Sequence, residues 1–361
     1  MKKYEIATIE GDGIGPEVCQ AAVRVLKEVC GSDQLVFNDF PGGAAHYVKS
    51  GSVLPDETYE ACKTSAAILH GAAGLPEVTY PDGTEVGNDL HLQLRFKLDL
   101  YANVRPIRLY QGDFSPLKNR AAGDIDYIIV RENTEGLYAS RGAGILLRGE
   151  VATDTLVMTR KGVERVARFA FELSRKRHGA PADGVKRMTV CDKANILRTY
   201  AFFRSICDEV ALDYPDVAID YAYADAITVH LVKRPDFYDV IVAENMFGDI
   251  ISDLGAATVG GLGVAASAEL GLNHGLFQGA HGSAPDIAGQ DVASPIATIL
   301  SGALMLRWLA DRHGDATLRT ASDRVERAVQ DVLASGEAVP ADQGGLARCS
   351  EVTTAVCRRL G

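Results

Sequence analysis

The sequence predicts an α/β protein with two domains. Apolar segments with the pattern of strands alternate along the chain with amphipathic segments that have the 3.6-residue period of helices. The 361 residues are too many for one simple hydrophobic core, which favours two domains, and these can be interleaved in the sequence. An apolar content of 47% and a charged content of 24% are those of an ordinary globular protein.

Charge and cysteine content narrow the class of partner and the compartment. The net charge is −11 and no run of Lys and Arg occurs, which argues against nucleic acid and anionic membrane as partners. The seven cysteines have irregular spacings without a Cys-x-x-Cys pair, as expected for reduced thiols in a cytoplasmic protein. The N-terminus lacks the apolar region of a signal peptide, and no apolar run is long enough to predict a membrane span.

The first predicted strand, Tyr4–Glu10, runs through the glycine-rich turn Gly11–Pro16 into a helix that ends near Cys30. The spacing Gly-x-Gly-x-Gly-Pro is not that of a Rossmann dinucleotide site, so a tight turn between strand and helix is favoured. Gly71–Asp89, rich in Gly, Pro and Asp, is predicted to be a long functional loop. Further strands are predicted at 35–39, 66–70, 125–130, 151–158, 187–191, 217–223 and 238–243, and further helices at 55–63, 90–98, 161–177, 201–210, 295–309, 318–333 and 351–360.

Three arginines lie at the ends of predicted elements: Arg95, Arg105 and Arg131. A guanidinium group can bind a carboxylate through two parallel hydrogen bonds, so in an acidic protein these residues form a candidate clamp for an anionic substrate. Each of them alone is more often part of a surface salt bridge. Lys193, at the end of a predicted strand, is a candidate proton carrier because partial burial lowers the pKa of a lysine. The alternative for Lys193 is a salt bridge with Asp192.

Asp249 and Asp253 are four residues apart, which places both carboxylates on one face of a predicted helix. The helix follows an apolar strand and is rich in apolar residues, a context that does not suit bare charges. A cation would relieve the repulsion, and oxygen ligands favour Mg²⁺ or Mn²⁺ over zinc. A solvated helix face is the alternative. Phe277–Gly289 is predicted to be a loop whose backbone amides could bind phosphate and whose Asp286 could accept from ribose hydroxyls.

Six motifs, in order along nearly the whole chain, resemble those of the isocitrate/isopropylmalate dehydrogenase family of metal-dependent oxidative decarboxylases. They lie at residues 11–18, 98–106, 131–138, 192–197, 245–253 and 281–289. The resemblance implies a two-domain isopropylmalate-dehydrogenase-like fold, with a large mixed sheet flanked by helices, which is not a Rossmann fold. Residues 1–100 with 260–361 would bind the cofactor. Residues 101–259 would bind substrate and metal and form the dimer interface.

The resemblance also implies NAD-dependent, Mg²⁺- or Mn²⁺-dependent oxidative decarboxylation of a 3-substituted malate. The enzyme would be a homodimer whose active sites are shared, with Lys193 and Asp225 supplied by the partner subunit. Lys193 would remove the hydroxyl proton of the substrate, and Tyr138 would later donate a proton to the enolate carbon. The implied substrate-binding residues are Arg95, Arg105, Arg131, Asp225 and His91, and the implied metal ligands are Asp225, Asp249 and Asp253. The implied cofactor-binding residues are Ile14, Asn195, His281, Gly282, Ser283, Ala284, Pro285, Asp286, Ile287 and Ser294.

Asp286 and Ile287 occupy the place of Lys-Tyr in NADP-dependent relatives. Because an aspartate accepts hydrogen bonds from ribose hydroxyls and repels a 2′-phosphate, the cofactor is predicted to be NAD. Ser294 stands where the family has an asparagine that meets adenine. A hydroxyl cannot present both functions of an amide, which puts the adenine affinity in doubt.

His91 is the second departure from the family pattern. Isopropylmalate enzymes have two adjacent leucines at the positions that His91 and Leu92 occupy in this chain. A histidine makes a poor wall for an isopropyl group, so a smaller or more polar C3 substituent is expected, as in D-malate or tartrate. The alternatives are that His91 faces away from the pocket, with isopropylmalate as the substrate, or that the substrate is isocitrate or homoisocitrate. A non-catalytic regulatory subunit is a remote alternative, because the clamp, metal and catalytic residues are all present.

Overall fold

The computed structural model describes residues 2–31 and 33–361. The chain divides into two compact units. The first unit comprises Met1–Leu100 and Gly260–Gly361, and the second comprises Tyr101–Val259. The domain bounds that the resemblance implies, and the roles assigned to the two domains, stay predictions.

The elements up to Leu100 are strands β1 (Tyr4–Gly11), β2 (Leu35–Asp39) and β3 (Ala67–Ala72), and helices α1 (Gly15–Cys30), α2 (Ala44–Ser50), α3 (Asp56–Thr64) and α4 (Gly87–Lys97). The second unit contains strands β4 (Ala102–Arg108), β5 (Asp126–Glu132), β6 (Ile145–Leu147), β7 (Val151–Thr153), β8 (Arg187–Asp192), β9 (Ala218–Tyr223) and β10 (Val240–Ala243), and helices α5 (Arg160–Lys176), α6 (Arg198–Ala211), α7 (Ala224–Lys233) and α8 (Asn245–Thr258). The chain ends with β11 (Ala266–Leu270), β12 (Gly275–Gly279), α9 (Ile296–His313), α10 (Ala316–Ser335) and α11 (Cys349–Arg359).

Each unit contains a set of five paired strands of mixed direction, and the second unit also contains the separate pair β6 and β7. In the first unit their order is β2-β1-β3-β12-β11, with only the β11–β12 pair antiparallel. In the second unit the order is β4-β5-β10-β8-β9, with only the β4–β5 pair antiparallel. Helices cover the strands: α9 packs against β11, β12 and α1, and α5 packs against β5, β8 and β10. The predicted α/β fold with a mixed sheet flanked by helices is confirmed.

The predicted elements differ from the observed ones in a few places. The start of the predicted loop Phe277–Gly289 is wrong, because Phe277 to Gly279 belong to the buried strand β12. The strand predicted at 151–158 is limited to Val151–Thr153, which pairs with β6 in a separate two-stranded hairpin. Helix α2 was not predicted. The glycines at both ends of β12 have low strand propensity, so the sequence does not predict a strand there. The strand forms because it pairs with β3 and β11.

The thiols and the helices bear on the predicted compartment. All seven cysteines, each within the described part of the chain, are free thiols. Among residues 2–31 and 33–361, no helix combines the length and the apolar character that crossing a membrane requires. The cytoplasmic location stays a prediction.

Candidate active site

The arginines and aspartates predicted in the second unit come together where β5 and β10 end. Arg131 on β5 lies beside Ala243, the last residue of the parallel strand β10. Helix α8 then begins at Asn245 and carries Asp249 and Asp253. Arg105 lies on β4, the antiparallel neighbour of β5. The predicted helix with both aspartates is confirmed, and its position after a short strand brings its first two turns to the arginines.

Two local features place α8 against Arg131. Glu244, 1% exposed, caps the helix and accepts hydrogen bonds from the backbone amides of Met246 and Phe247. Gly248 allows the helix to approach β5 closely: a Cβ atom at this position would lie 2.7 Å from Cβ and 2.8 Å from Cγ of Arg131. A residue with a side chain at position 248 would therefore push the helix away from the strand.

Hydrogen bonds hold both guanidinium groups on the helix. Arg131 donates from Nε and Nη2 to Asn245 Oδ1 at 3.0 and 2.8 Å, and from Nη1 to Asp249. Arg105 donates to Ser252 Oγ at 2.6 Å, and its Nη2 lies 3.2 Å from Asp249 Oδ1. The arginines are 2% and 8% exposed. Buried guanidinium groups that bind carboxylates are well suited to hold an anion.

The side chains of Asp249 and Asp253 are both partly open to solvent. The side chain of Asp249 is 35% exposed and that of Asp253 is 57% exposed. Arg105 also reaches Asp253, with Nη1 3.4 Å from Oδ1. Within the chain, the cations that relieve the repulsion between the carboxylates are thus the two guanidinium groups. Across residues 2–31 and 33–361, no group of three or more His, Cys, Asp or Glu side chains could hold a metal ion.

Lys193 and Asp225 form a second cluster in this unit. Lys193 Nζ lies 2.7 Å from Asp225 Oδ1, and this hydrogen bond lowers the pKa of Asp225 below its usual range. The salt bridge considered between Lys193 and Asp192 does not form. Asp192 is instead fully buried and accepts from Arg204 at 2.7 and 2.8 Å. The Asp192–Arg204 pair anchors the turn that carries Lys193. Within the described residues of one chain, Asp225 forms no metal-binding group with Asp249 and Asp253.

Tyr138 and Asn195 are the other site residues predicted in the second unit. Tyr138 follows the turn after β5, and its ring centroid lies 5.5 Å from the guanidinium carbon of Arg131. Tyr138 is therefore next to the arginine–aspartate cluster, as a proton donor acting there would have to be. Asn195 is exposed on the turn after β8, two residues from Lys193.

Arg95 and His91 belong to the first unit and have buried partners there. Arg95, in the last turn of α4, donates from Nε and Nη2 to Glu269 at 2.8 and 2.7 Å. The His91 ring lies with its centroid 4.9 Å from that of His70. Burial lowers the pKa of His91 to about 3 and that of His70 to about 4, so both imidazoles are neutral near pH 7.

Two predicted cofactor-binding regions that are distant in the sequence, Ile14 and residues 281–287, are brought together within the first unit. The amide of Ile14 donates to the Ser283 carbonyl at 2.7 Å, and Ile14 packs in one apolar cluster with Ala284 and Ile287. Gly13 has φ +57°, and a Cβ atom there would lie 2.0 Å from Ser283 O. The glycine turn after β1 is therefore required for contact with the 281–287 segment, which agrees with its interpretation as a tight turn.

The predicted cofactor-binding residues from His281 to Ser294 differ in exposure and in their hydrogen bonds within the protein. Asp286 is exposed, as is Gly282. Burial lowers the pKa of His281, whose Nδ1 lies 3.0 Å from the Gly282 carbonyl. Ser294 donates its hydroxyl to Gly263 O at 3.0 Å. That hydroxyl already donates a hydrogen bond within the protein, so its donor is not free for adenine, in keeping with the predicted weak contact.

Comparison with protein families identifies the chain. The model of the isocitrate/isopropylmalate dehydrogenase family matches residues 5–356. The chain belongs to this family. It is a decarboxylating dehydrogenase, an enzyme that acts on small dicarboxylates.

Similar proteins span the whole chain. The 3-isopropylmalate/3-methylmalate dehydrogenase of Methanocaldococcus jannaschii is 41% identical over 358 residues, which are 99% of both chains. The 3-isopropylmalate dehydrogenase of Corynebacterium glutamicum is 44% identical over 323 residues, 88% of this chain and 91% of the relative. Among solved structures, isocitrate dehydrogenase from Methylococcus capsulatus has a TM-score of 0.86 and 35% identity, with 99% of each chain covered.

Three polar residues of this dehydrogenase that contact the clamp arginines were not predicted. Asn245 and Ser252 accept hydrogen bonds from Arg131 and Arg105, and Glu269 pairs with Arg95. Asn245 lies four residues before Asp249 and Ser252 lies three residues after it, so the helical period could have placed both near that aspartate. No local signal marks Glu269, because its partner is distant in the sequence.

Proposed function

We propose that this dehydrogenase catalyses NAD-dependent, Mg²⁺- or Mn²⁺-dependent oxidative decarboxylation of a 3-substituted malate. The products would be a 2-oxo acid, CO₂ and NADH, and the substrate would be of the 3-isopropylmalate or of the tartrate/D-malate type. The arginine–aspartate cluster on β4, β5 and α8 carries the proposal. Two buried guanidinium groups beside two partly exposed carboxylates provide neighbouring places for an anionic substrate and a cation.

Arg105 and Arg131 would bind the dicarboxylate, together with Arg95. A carboxylate competes well for a guanidinium group that is shielded from water, because charge-assisted hydrogen bonds strengthen as the local dielectric constant falls. Arg131 is also fixed by two hydrogen bonds to Asn245, so its plane is set before substrate arrives. This preorganisation lowers the entropic cost of binding.

The donor set of Asp249 and Asp253 fits a hard divalent cation. Both are carboxylates on one face of α8, and their side chains are partly open to solvent. Asp225 of the partner subunit would complete the ligand set. When bound, the metal would stabilise negative charge on a substrate oxygen during decarboxylation.

Lys193 and Tyr138 would move the protons. Lys193, acting as the amine, would take up the hydroxyl proton of the substrate, and Asp225, 2.7 Å away, would stabilise the ammonium group that forms. Tyr138, 5.5 Å from Arg131, would return a proton to carbon after CO₂ leaves. Asn195 lies on the same turn as Lys193 and would contact the nicotinamide.

The first unit would bind NAD. Ile14, Ala284 and Ile287 offer an apolar surface for adenine next to the exposed carboxylate of Asp286, which suits free ribose hydroxyls and repels a 2′-phosphate. Backbone amides of residues 282–284 would contact the phosphates. Ser294 would give a weaker adenine contact than an asparagine, because its hydroxyl donates to Gly263.

A homodimer with shared sites follows from the same proposal, and exposed apolar side chains of the second unit support it. Val229 on α7 is 51% exposed, Ile250 on α8 is 57% exposed, and Leu146 in the β6–β7 hairpin is 73% exposed. Helices α7 and α8 pack together, so their apolar residues flank the segment that carries Asp249. Exposed apolar surface of this kind is typical of interfaces.

Mixed dimers test the sharing of the active site. Lys193→Met and Asp253→Asn subunits, each inactive alone, are unfolded together, refolded and assayed. If each site takes Lys193 from one subunit and Asp253 from the other, half of the dimers contain one intact site, and roughly a quarter of the wild-type activity returns. If all catalytic residues come from one chain, the mixture stays inactive.

A substrate panel tests the reaction and identifies the acid. NADH formation is measured with NAD⁺ and Mn²⁺ on 3-isopropylmalate, 3-methylmalate, D-malate, the tartrates, isocitrate and homoisocitrate. A dominant kcat/KM on 3-isopropylmalate would mean that His91 does not line the C3 pocket, whereas preference for D-malate or tartrate would support a small polar pocket. Preference for isocitrate or homoisocitrate would overturn the proposed substrate class. No turnover of any of them would favour the regulatory-subunit alternative.

A further inference from the structure

A group of largely buried polar side chains lies between helix α4 and the strands of the first unit. We refer to His70, His91, Arg95, Glu269 and Gln278 as the polar cluster. Gln278 pairs with Ser267 across β11 and β12, and Glu269 is two residues beyond Ser267, so Glu269 and Gln278 lie on one face of the sheet. The pairing of Leu276 with Ile68 puts His70 on the same face. His91 and Arg95, four residues apart on α4, meet this face.

The central contact of the polar cluster is a two-point ion pair. Arg95 donates from Nε to Glu269 Oε2 at 2.8 Å and from Nη2 to Oε1 at 2.7 Å. Gln278 donates from Nε2 to the same Oε1 at 3.0 Å. Glu269 is 0% exposed and Arg95 is 8% exposed. Two parallel hydrogen bonds fix the plane of the guanidinium group, and the third holds the carboxylate in the orientation that the pair requires.

Glu269 balances the charge of Arg95 within the polar cluster. His70 donates from Nδ1 to the carbonyl of Ile9 at 2.6 Å, and burial keeps both imidazoles neutral. Arg95 and Glu269 are therefore the charged members of the cluster. Without Glu269, the guanidinium group would lose the two charge-assisted hydrogen bonds that set its plane.

We propose that Glu269 is a positioning residue for Arg95, and that Gln278 in turn orients Glu269. The inference rests on the proposed function, in which Arg95 binds a carboxylate of the substrate. Glu269 binds the Nε–Nη2 edge and so fixes the plane in which Arg95 meets the substrate carboxylate. The Arg95 side chain is thus ordered before substrate binds, so binding costs less conformational entropy. This effect lowers KM and leaves kcat unchanged.

A double-mutant cycle tests this coupling. Glu269→Gln keeps the shape of the side chain but removes its charge and one of its two strong acceptors. For the best substrate of the panel, we expect KM and the calorimetric Kd to rise about 10- to 100-fold, with kcat within about 3-fold of wild type. KM for NAD⁺ should stay within about 2-fold. In an Arg95→Met background, the further change Glu269→Gln should alter Kd by less than about 2-fold, because the residue through which Glu269 acts is gone.

Asp239→Asn is the matched control for the loss of a buried ion pair. Asp239, 0% exposed in the second unit, accepts from Arg177 Nε at 2.6 Å and has no assigned part in substrate binding. The Asp239→Asn substitution should lower the melting temperature without changing KM. Gln278→Met is the milder test should Glu269→Gln fail to fold, and it should raise KM about 2- to 5-fold by releasing Glu269.

The outcomes separate the inference from the function on which it rests. If Glu269→Gln lowers the melting temperature but leaves KM and Kd at wild-type values, as Asp239→Asn should, Glu269 is structural only and the inference is overturned. An additive effect in the Arg95→Met background overturns it as well. If the wild-type protein neither binds nor oxidises any acid of the panel, the proposed function itself fails, and the positioning role fails with it.

Discussion

Gly248→Ala in helix α8 is expected to disable the site while leaving most of the fold intact. The new Cβ atom would lie 2.7 Å from Cβ, 2.8 Å from Cγ and 3.0 Å from Cα of Arg131. Carbon atoms in contact are about 3.5–4.0 Å apart, so the helix and the strand must separate by roughly 1 Å. Two of the three close atoms are Cα and Cβ of Arg131, which cannot move aside without displacing the strand.

The cost of this shift falls more on activity than on stability. Overpacking a core costs about 1–3 kcal/mol, and replacing a helical glycine by alanine returns about 1 kcal/mol, so the unfolding free energy should fall by about 0–2 kcal/mol. Asp249 follows Gly248 and binds Arg131, so it moves with the helix. A misplacement of about 1 Å at a reacting centre can cost about 100-fold in rate. We expect kcat/KM to fall at least about 10-fold.

Gly255→Ala in the same helix is the control. A Cβ atom there would lie 2.9 Å from Tyr127 Oη and 3.0 Å from side-chain carbons of Ile107, so it overpacks the core without touching Arg131. The two variants are compared by NADH formation and by urea unfolding. Gly255→Ala should lose stability to a similar extent and keep kcat/KM within about 3-fold of wild type. A folded Gly248→Ala protein with wild-type kcat/KM would refute the placement of the clamp.

Four further outcomes follow from the same site. Lys193→Met should abolish NADH formation while the protein stays folded; surviving activity with an unchanged pH profile would show that Lys193 is not the base. Asp286→Lys should lower kcat/KM for NAD⁺ and raise it for NADP⁺, and an unaltered preference would contradict the ribose contact. Removing divalent metal with a chelator should stop the reaction, and Asp253→Asn should raise the Mn²⁺ concentration needed to restore it; metal-independent turnover would exclude the metal site. The folded-state pKa of His91, about 3, lies below the ordinary value of 6.5, so its contribution to stability is complete above pH 6.5 and is lost as the pH falls toward 3. His91→Leu should therefore flatten the acid side of the stability curve in urea unfolding, and an unchanged slope would contradict the burial of the imidazole.

Local sequence was sufficient for the parts of the site that depend on period. The four-residue spacing of Asp249 and Asp253 predicts one helix face, and the apolar strand before them predicts the strand–helix junction that the structure contains. Arg131 could be chosen because an apolar strand precedes it. Such features depend on residues near in sequence, where strand and helix periods are reliable.

What the sequence could not predict depends on contacts between distant segments. Glu269 meets Arg95 only because β11 and α4 are brought together by the fold. The environment of His91 depends on His70, which lies on strand β3 and meets α4 only through the fold, so the sequence does not separate pocket from interior. The prediction of a loop at Phe277 to Gly279 is wrong, because the glycines of β12 have low strand propensity and one of its pairing partners, β3, is far away in sequence.

The most direct test of the proposed chemistry is the stoichiometry of the reaction. Purified protein is incubated with NAD⁺, Mn²⁺ and the best acid of the panel, and NADH and CO₂ are measured in the same vessel. Oxidative decarboxylation predicts equal molar amounts of NADH and CO₂, with both products absent in Asp249→Asn. NADH formed without CO₂ would contradict the account, because it would describe a dehydrogenase that oxidises the hydroxyl group and leaves the carboxylate in place.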